Sequence, residues 1–100
     1  MDQEIEEQLK SMRAEYESLP IQDIVDLNWK DLPQVTIGKT TYFPAVWSYK
    51  REDICTLVVH LRTKKNFLGV YTEYALGAYI KEDRNIEHLS QEDLWKEGIT

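Results

Sequence analysis

The spacing of apolar residues changes once along this chain, and the change predicts helices followed by a sheet. Over residues 1–19 the apolar side chains recur every three or four positions, which is typical of the buried stripe of an amphipathic helix. The stripe consists of Ile5, Leu9, Met12, Tyr16 and Leu19. Pro20 ends this helix or begins another one, and residues 21–27 predict a short second helix.

From residue 34 onward apolar and polar positions alternate, which is typical of β-strands with one buried face. The alternation predicts strands over residues 34–37, 40–50, 54–63 and 66–82, and a shorter strand over 86–89. Glycine tolerates positive φ at the first position of a two-residue turn, so Gly38-Lys39 predicts a hairpin. Because short turns join successive strands, we expect an antiparallel meander.

The two longest strands have faces of different character. The face expected to be buried carries Cys55, Leu57, Val59 and Leu61 on one strand, and Leu68, Val70, Tyr74, Leu76 and Ile80 on the next. The opposite face carries Thr56, Val58, His60 and Arg62, then Phe67, Tyr71, Glu73, Tyr79 and Lys81. We therefore expect one face to pack against the N-terminal helix and the other to meet water or a partner.

A last helix is predicted near the C-terminus. Ser90 is a good N-cap, Asp93 follows three residues later, and Leu89 and Leu94 occupy the positions of a hydrophobic staple. Gly98 is placed to close this helix. The sequence thus predicts one α+β domain over residues 1–100: an N-terminal amphipathic helix packed on a curved four- to five-stranded antiparallel sheet, with a short C-terminal helix.

Composition and cysteine content restrict the disulfide chemistry and the cellular compartment to be expected for this protein. The chain of 100 residues is 42% apolar and has one cysteine, which excludes an internal disulfide. Cys55 falls on the apolar face of a strand, so we interpret it as a buried hydrophobe and not as a nucleophile. No signal-peptide pattern and no membrane-spanning apolar run are visible, so we expect a cytoplasmic protein without membrane contact.

Charge is unevenly distributed along the chain. Residues 1–33 carry a net charge of −6, residues 34–81 carry +4, and residues 82–100 carry −4. Acidic helices lying against a basic sheet would explain this pattern, and so would a surface that recognises a partner of opposite charge. The pI of about 4.8 disfavours a nucleic-acid binder, although basic and aromatic residues share the middle segment.

Candidate functional residues lie on the polar face of the two long strands. They are His60, Arg62, Phe67, Tyr71, Glu73 and Tyr79, and we interpret them as a partner-binding surface. A turn at Lys64-Lys65 would place His60 opposite residues 69–70, which leaves it unpaired with Glu73. No catalytic motif, metal-ligand spacing or cofactor-binding loop is recognisable, so we expect neither an enzyme nor a cofactor or metal.

These patterns favour a small non-enzymatic interaction protein of the inhibitor, immunity or accessory type. It would bind a protein partner through the outer sheet face and the acidic helices. One alternative is a small-ligand-binding or enzymatic cone-like domain with a pocket between helix and sheet. Another is a single-stranded nucleic-acid binder that uses the aromatic and basic sheet face. A homodimer formed through an exposed strand edge is also compatible with the pattern.

Overall fold

The structure, a computed structural model that describes residues 1–99, has a helical layer on each face of a six-stranded antiparallel sheet. The elements in chain order are α1 (Gln3–Glu17), α2 (Ile21–Val25), β1 (Trp29–Asp31), β2 (Val35–Ile37), β3 (Thr40–Arg51), β4 (Ile54–Thr63), β5 (Glu73–Lys81), β6 (Ile86–Leu89) and α3 (Gln91–Lys96). This arrangement confirms the predicted α+β class, the N-terminal helix, the antiparallel sheet and the short C-terminal helix.

Three long strands, β3, β4 and β5, form the centre of the sheet, and shorter strands pair at its sides. β6 pairs with β5, while β1 and β2 pair with different stretches of β3. Pro44 lies between those two stretches, where its carbonyl accepts a hydrogen bond from the Leu32 amide at 3.0 Å. Proline has no N–H to donate, and at this position neither β1 nor β2 requires a donor from β3. Strand β1 is not predicted by the sequence pattern.

One side of the sheet, which we call the first face, carries Leu57, Val59 and Leu76 and packs against α1 and α2. The predicted stripe of α1 supplies the other half of this core: Ile5, Leu9, Met12 and Tyr16 are buried, and Leu19 is half-buried. Burial of each large apolar side chain stabilises the fold by roughly 1.5–3 kcal/mol. The apolar stripe therefore explains why α1 lies across this face.

A charged side chain also holds α1 to the sheet. Arg13 is buried and donates a hydrogen bond to the Gly77 carbonyl at 3.2 Å. Its Nε lies 3.5 Å from Glu17 Oε1, which is 2.9 Å from Nε2 of His88 on β6. Desolvation lowers the pKa of Arg13, and the charge of Glu17 opposes that effect. This chain of contacts ties the end of α1 to β5 and β6.

The other side of the sheet, the second face, carries Trp47, Val58 and Gly77, and α3 returns to cover part of it. Val58, Ala75, Leu89 and Leu94 form a buried cluster there. A Cβ added to Gly77 would lie 2.9 Å from Leu94 Cδ2, so glycine permits this close approach. The expectation that this face lies open to water or a partner is therefore wrong along β4, where Thr56, Val58 and His60 are all buried.

The predicted boundaries of α3 are confirmed. The Ser90 side chain accepts a hydrogen bond from the Asp93 amide at 3.2 Å, and Asp93 Oδ2 accepts one from the Ser90 amide at 2.9 Å. These two bonds form a capping box. Gly98 follows the helix with φ of +69°, as a C-terminal cap requires.

The last long strand begins later than predicted. β5 begins at Glu73, and residues 64–72 form a loop between β4 and β5 instead of a strand. Leu57, Val59 and Leu76 are buried as expected, but Leu68 and Val70 are exposed and not part of the core. Within residues 1–99, no helix combines the length and the apolar character needed to cross a membrane.

Candidate functional site

Strand register sets the side chains of the second face in rows. The row nearest the β4–β5 loop contains Phe43, Arg62 and Glu73. The row beside it contains Asp31, Ala45, His60 and Ala75. Leu94 of α3 packs over a third row, at Gly77. Two parts of the second face therefore extend beyond Leu94, one towards the β4–β5 loop and one towards the β3–β4 turn.

Hydrogen bonds of Asn66 close a turn within the β4–β5 loop (residues 64–72). The Asn66 side-chain oxygen accepts hydrogen bonds from the amides of Leu68 at 2.9 Å and Val70 at 3.1 Å. The Asn66 amide donates to the Val70 carbonyl at 2.9 Å. Gly69 supplies the positive φ of +78° that closes the turn. The loop thus has its own hydrogen-bonded structure without contributing to a core.

This turn displays three large apolar side chains to solvent. Phe67 is 95% exposed, Leu68 72% and Val70 59%. Isolated apolar side chains on a surface are ordinary, but here three of four consecutive residues are large, apolar and exposed. Exposure of this degree gives no stability to the isolated chain, so a packing role does not explain these residues.

Basic side chains surround the apolar turn. Arg62, Lys64 and Lys65 precede it, and residues 54–72 contain no acidic residue. The Arg62 guanidinium lies 5.3 Å from the centre of the Tyr71 ring, and Lys65 Nζ lies 5.7 Å from it. Both distances are within the range of cation–π attraction. The ring of Tyr71 therefore draws two cations to the base of the loop.

The structure pairs His60 with Glu73, contrary to the register expected from a turn at Lys64-Lys65. His60 Nδ1 lies 2.9 Å from Glu73 Oε1. The loop is longer than that turn, so His60 lies opposite Ala75 and Arg62 lies opposite Glu73. The predicted register of this hairpin is therefore wrong, because the long loop shifts every pair.

His60 is buried at the centre of this end of the sheet. It is 3% exposed, and its Nε2 atom has no hydrogen-bond partner among residues 1–99. The Trp29 ring packs edge-on against it with 5.1 Å between centroids, and Trp29 Nε1 donates to Asp31 at 3.0 Å. Trp29 itself is half-exposed, so it shields the histidine from solvent. A partner would meet Trp29 and Glu73 before it reached His60.

Tyr79 lies at the other end of the second face, away from the rest of the predicted surface. It lines a cleft near the β3–β4 turn together with Tyr49 and Thr56. Burial raises the pKa of Tyr79, and nearby Glu97, Tyr49 and Glu87 raise it further. Of the six predicted residues, the structure therefore brings His60, Arg62, Tyr71 and Glu73 together, places Phe67 on the adjoining loop and separates Tyr79.

The one cysteine of the chain lies away from this end of the sheet, opposite Lys50 near the β3–β4 turn. Cys55 lies on the first face, is buried, and has its pKa raised by desolvation against the lowering effect of Lys50. It is therefore a poor thiolate and cannot reach His60 on the opposite face. Within residues 1–99, no group of three or more histidine, cysteine or acidic side chains is placed to hold a metal ion.

Comparison with protein-family models, with curated proteins and with solved structures finds no match to this chain. The function proposed for it therefore rests on the geometry and chemistry of the described residues.

Sequence reasoning misses several residues that shape this surface. Leu68 and Val70 lie an even number of residues from Leu76, so the alternation places them on the same strand face and predicts that they are core residues. The Asn66 to Gly69 segment carries the signal that corrects this, since asparagine and glycine favour turns. Trp29 lies in a segment where the pattern predicts no strand, and only the pairing of β1 with β3 places it beside His60.

Proposed function

We propose that this protein is a non-enzymatic binding module that docks onto a protein partner through the β4–β5 loop. The observation that carries the proposal is the display of Phe67, Leu68 and Val70 on a turn fixed by Asn66. Contiguous exposed apolar side chains mark interaction surfaces on proteins. A turn already fixed in the free protein loses little conformational entropy when it binds.

The charges around the loop define the partner that would fit it. Arg62, Lys64 and Lys65 would lie beside acidic groups at the rim of an apolar groove that receives Phe67 and Leu68. Charge complementarity of this kind speeds docking, and burial of the apolar side chains slows dissociation. The acidic helix α1 packs on the first face, so it lies on a different side of the sheet from His60 and Arg62.

Site-specific crosslinking tests this proposal at the residue that it depends on. Phe67 is replaced by the photoreactive analogue p-benzoylphenylalanine, which preserves an aromatic ring at an exposed position. The same replacement at Trp95, which is 59% exposed on α3, is the matched control. We expect a discrete protein adduct in cells with the analogue at position 67 and a much weaker one at position 95.

A loop variant then measures the contribution of the apolar patch. With the crosslinked protein purified, Phe67→Ser together with Leu68→Ser is expected to weaken binding at least about tenfold, since each buried apolar side chain contributes roughly 1.5–3 kcal/mol. Trp95→Ser is expected to leave affinity within about twofold of the original chain. Equal losses in both variants, or crosslinks only to nucleic acid or to a second copy, would contradict the proposal.

A nucleic-acid platform receives less support from the structure. The basic residues of the middle segment are divided between the two ends of β4, with Lys50 and Arg51 at one end and Lys64 and Lys65 at the other. Ten residues of strand separate these groups by roughly 30 Å. Lys50 is also paired with Glu82 at 3.1 Å. The basic groups therefore do not form one continuous stripe for a phosphate backbone.

A cone-like ligand pocket and a homodimer paired through the free part of β5 also receive less support. Apolar side chains from both layers fill the interface between α1 and the sheet, where such a pocket would lie. Dimerisation through the edge of β5 is opposed by Gln91, whose side-chain oxygen accepts the hydrogen bond of the Ala75 amide at 2.9 Å. β6 pairs with β5 beyond that point.

A further inference from the structure

The C-terminal segment of residues 90–99, which includes α3, buries little of its own surface. In this segment Leu94 alone is buried, whereas α1 buries five of its residues. Trp95, Lys96 and Glu97 follow Leu94 and are all exposed. Segments with few buried apolar contacts separate from a fold at a lower free energy than the core does. The attachment of α3 therefore depends mainly on Leu94.

Among residues 1–99, a single hydrogen bond joins α3 to the sheet. The Gln91 side-chain oxygen accepts it from the Ala75 amide at 2.9 Å. The backbone amides of Leu94 and Ile99 donate to carbonyls of the C-terminal segment itself. In the described part of the chain, no backbone hydrogen bond links residues 91–99 to a strand. Separation of α3 from the sheet would therefore leave the pairing of the strands intact.

α3 is too short to keep its helical form without the sheet. It has six residues, and isolated helices shorter than about 12–15 residues are marginal in water. The sheet, by contrast, has support that α3 does not supply. β4 is paired along its length with β3 and β5, and α1 and α2 cover the first face. Loss of α3 would therefore remove one small element and not the rest of the fold.

The second face beneath α3 carries an apolar row that crosses four strands. Register sets Trp29 opposite Trp47, and Trp47 opposite Val58. Val58 is 0% exposed and lies opposite Gly77, over which Leu94 packs. Leu94 and Val58 belong to one buried cluster, which Trp47 flanks. Departure of Leu94 would therefore expose Val58 and extend the apolar surface that begins at the half-exposed Trp29.

We propose that α3 is a latch that opens as a local unit while α1 and the sheet stay folded. In the closed state, Leu94 covers Val58 and Gln91 accepts the hydrogen bond of Ala75. In the open state, the row from Trp29 to Val58 and the Ala75 amide face water. Monomeric proteins rarely expose large contiguous apolar surfaces, so the latch controls when this one is exposed. Opening does not depend on docking through the β4–β5 loop, because α3 covers a different part of the second face.

Native-state hydrogen exchange of the full chain, followed by ¹H–¹⁵N NMR, measures latch opening. The Ala75 amide reports on the latch because Gln91 is its acceptor, and the Val59 amide in the central strand β4 reports on global unfolding. We expect the Ala75 and Leu94 amides to share one opening equilibrium constant within about threefold, at least about tenfold larger than that of Val59. We also expect a weak dependence on urea, because opening exposes little surface. Opening constants of Ala75 and Val59 that are equal, or that respond equally to urea, would overturn the proposal.

A variant on the first face separates local opening from global unfolding. Ile5→Val removes one carbon from the packing between α1 and the sheet, which destabilises the closed and open states alike relative to the unfolded chain. We expect Val59 exchange to become about two- to tenfold faster and Ala75 exchange to stay within about 1.5-fold of the original. If α3 and the sheet formed one cooperative unit, both amides would accelerate equally, and the proposal would be wrong.

A matched pair of substitutions on α3 tests the open state directly. Leu94→Asp places a charge where the closed latch buries a side chain, so we expect α3 to leave the sheet. The destabilisation is limited to the cost of opening, because position 94 lies in water in the open state. We therefore expect random-coil amide shifts over residues 91–99, continued protection of the Val59 amide, and increased fluorescence of the apolar-surface probe 1-anilinonaphthalene-8-sulfonate. Trp95→Asp changes the exposed neighbour and is expected to alter none of these readouts.

Three results of this comparison would also overturn the proposal. One is unfolding of the whole Leu94→Asp chain, seen as loss of Val59 protection, because it would show that the sheet requires α3. Another is retention of helical shifts over residues 91–96 in Leu94→Asp. The third is an equal effect of Trp95→Asp. Each outcome is read from the isolated protein, so it is independent of whether the β4–β5 loop binds a protein partner.

Discussion

The residues that stabilise this fold and the residues proposed to bind a partner differ in burial and polarity. Arg13 and His60 are both buried, and each makes its hydrogen bond or ion pair within the chain. Phe67 and Leu68 are apolar and exposed, the reverse of what stability favours. We therefore expect the contact with a partner to be made by these apolar side chains. The nearby pair of His60 and Glu73 is expected to stabilise the sheet.

Glu73 is expected to act mainly through His60. Glu73→Ala removes the partner of a buried imidazole nitrogen, so we expect the free energy of unfolding to fall by about 1–3 kcal/mol. Glu73→Gln keeps a hydrogen-bond acceptor, and we expect a loss below about 1 kcal/mol. Chemical denaturation measures both values. Similar losses in the two variants would show that the hydrogen bond is not the cause.

At the level of helices and strands, short segments at the ends of these elements determine how the elements pack. Asn66 closes the β4–β5 loop and keeps it out of β5, and the Ser90–Asp93 capping box begins α3 immediately after β6. Because α3 begins there, Leu94 reaches the second face above Gly77. The same start places Glu97 and Ile99 at the cleft.

The capping box makes part of the stability depend on pH. Hydrogen bonds from the Ser90 amide and side chain lower the pKa of Asp93, burial opposes them, and the charge of Lys96 lowers the pKa further. A lowered pKa contributes stability above the ordinary carboxyl value of about 4, and this contribution disappears as pH falls through the lowered value. We therefore expect Asp93→Asn to flatten the decline of stability below about pH 4. Thermal unfolding followed by circular dichroism from neutral to acidic pH measures this.

Glu92→Asn is the control for that experiment, because it removes a carboxylate from the same helix turn without touching the capping box. Its pH profile is expected to follow that of the original chain. If both variants flatten the decline equally, the general charge of the helix and not the cap is responsible.

Charge is distributed unevenly over the whole molecule. The β4–β5 loop and its base are basic, whereas the chain as a whole carries a net charge of −6. The cleft between Tyr49 and Tyr79 lies at the opposite end of β4 and is lined by more acidic than basic residues.

This separation predicts that docking through the loop depends on salt. With the crosslinked partner purified, we expect the association rate to fall about tenfold between low and high ionic strength. Lys64→Gln with Lys65→Gln is expected to remove most of that dependence, as measured by stopped-flow mixing. Lys81→Gln with Lys96→Gln makes the same change in net charge elsewhere and is expected to preserve it. A rate that does not respond to salt would contradict electrostatic steering.

Much of the fold follows from local pattern, whereas most of the candidate surface does not. The stripe from Ile5 to Tyr16 predicts burial that the structure confirms, and so does the apolar face from Cys55 to Leu61. The other face of that strand was expected to be open, but it is buried as well. The pairing of His60 with Glu73 depends on the length of the loop between their strands. A shift in register changes every cross-strand pair, and the alternation of apolar residues alone does not fix that length.

The sequence by itself determined the α+β class, the helix that covers the first face and the capped helix at the C-terminus, because periodicity and capping are local properties of the chain. Only the tertiary structure decided that α3 covers the middle of the second face, that Phe67 and Leu68 leave the sheet, and that Tyr49 and Tyr79 flank Thr56. These arrangements depend on contacts between segments far apart in the chain, and their register is set by the packing of the whole sheet.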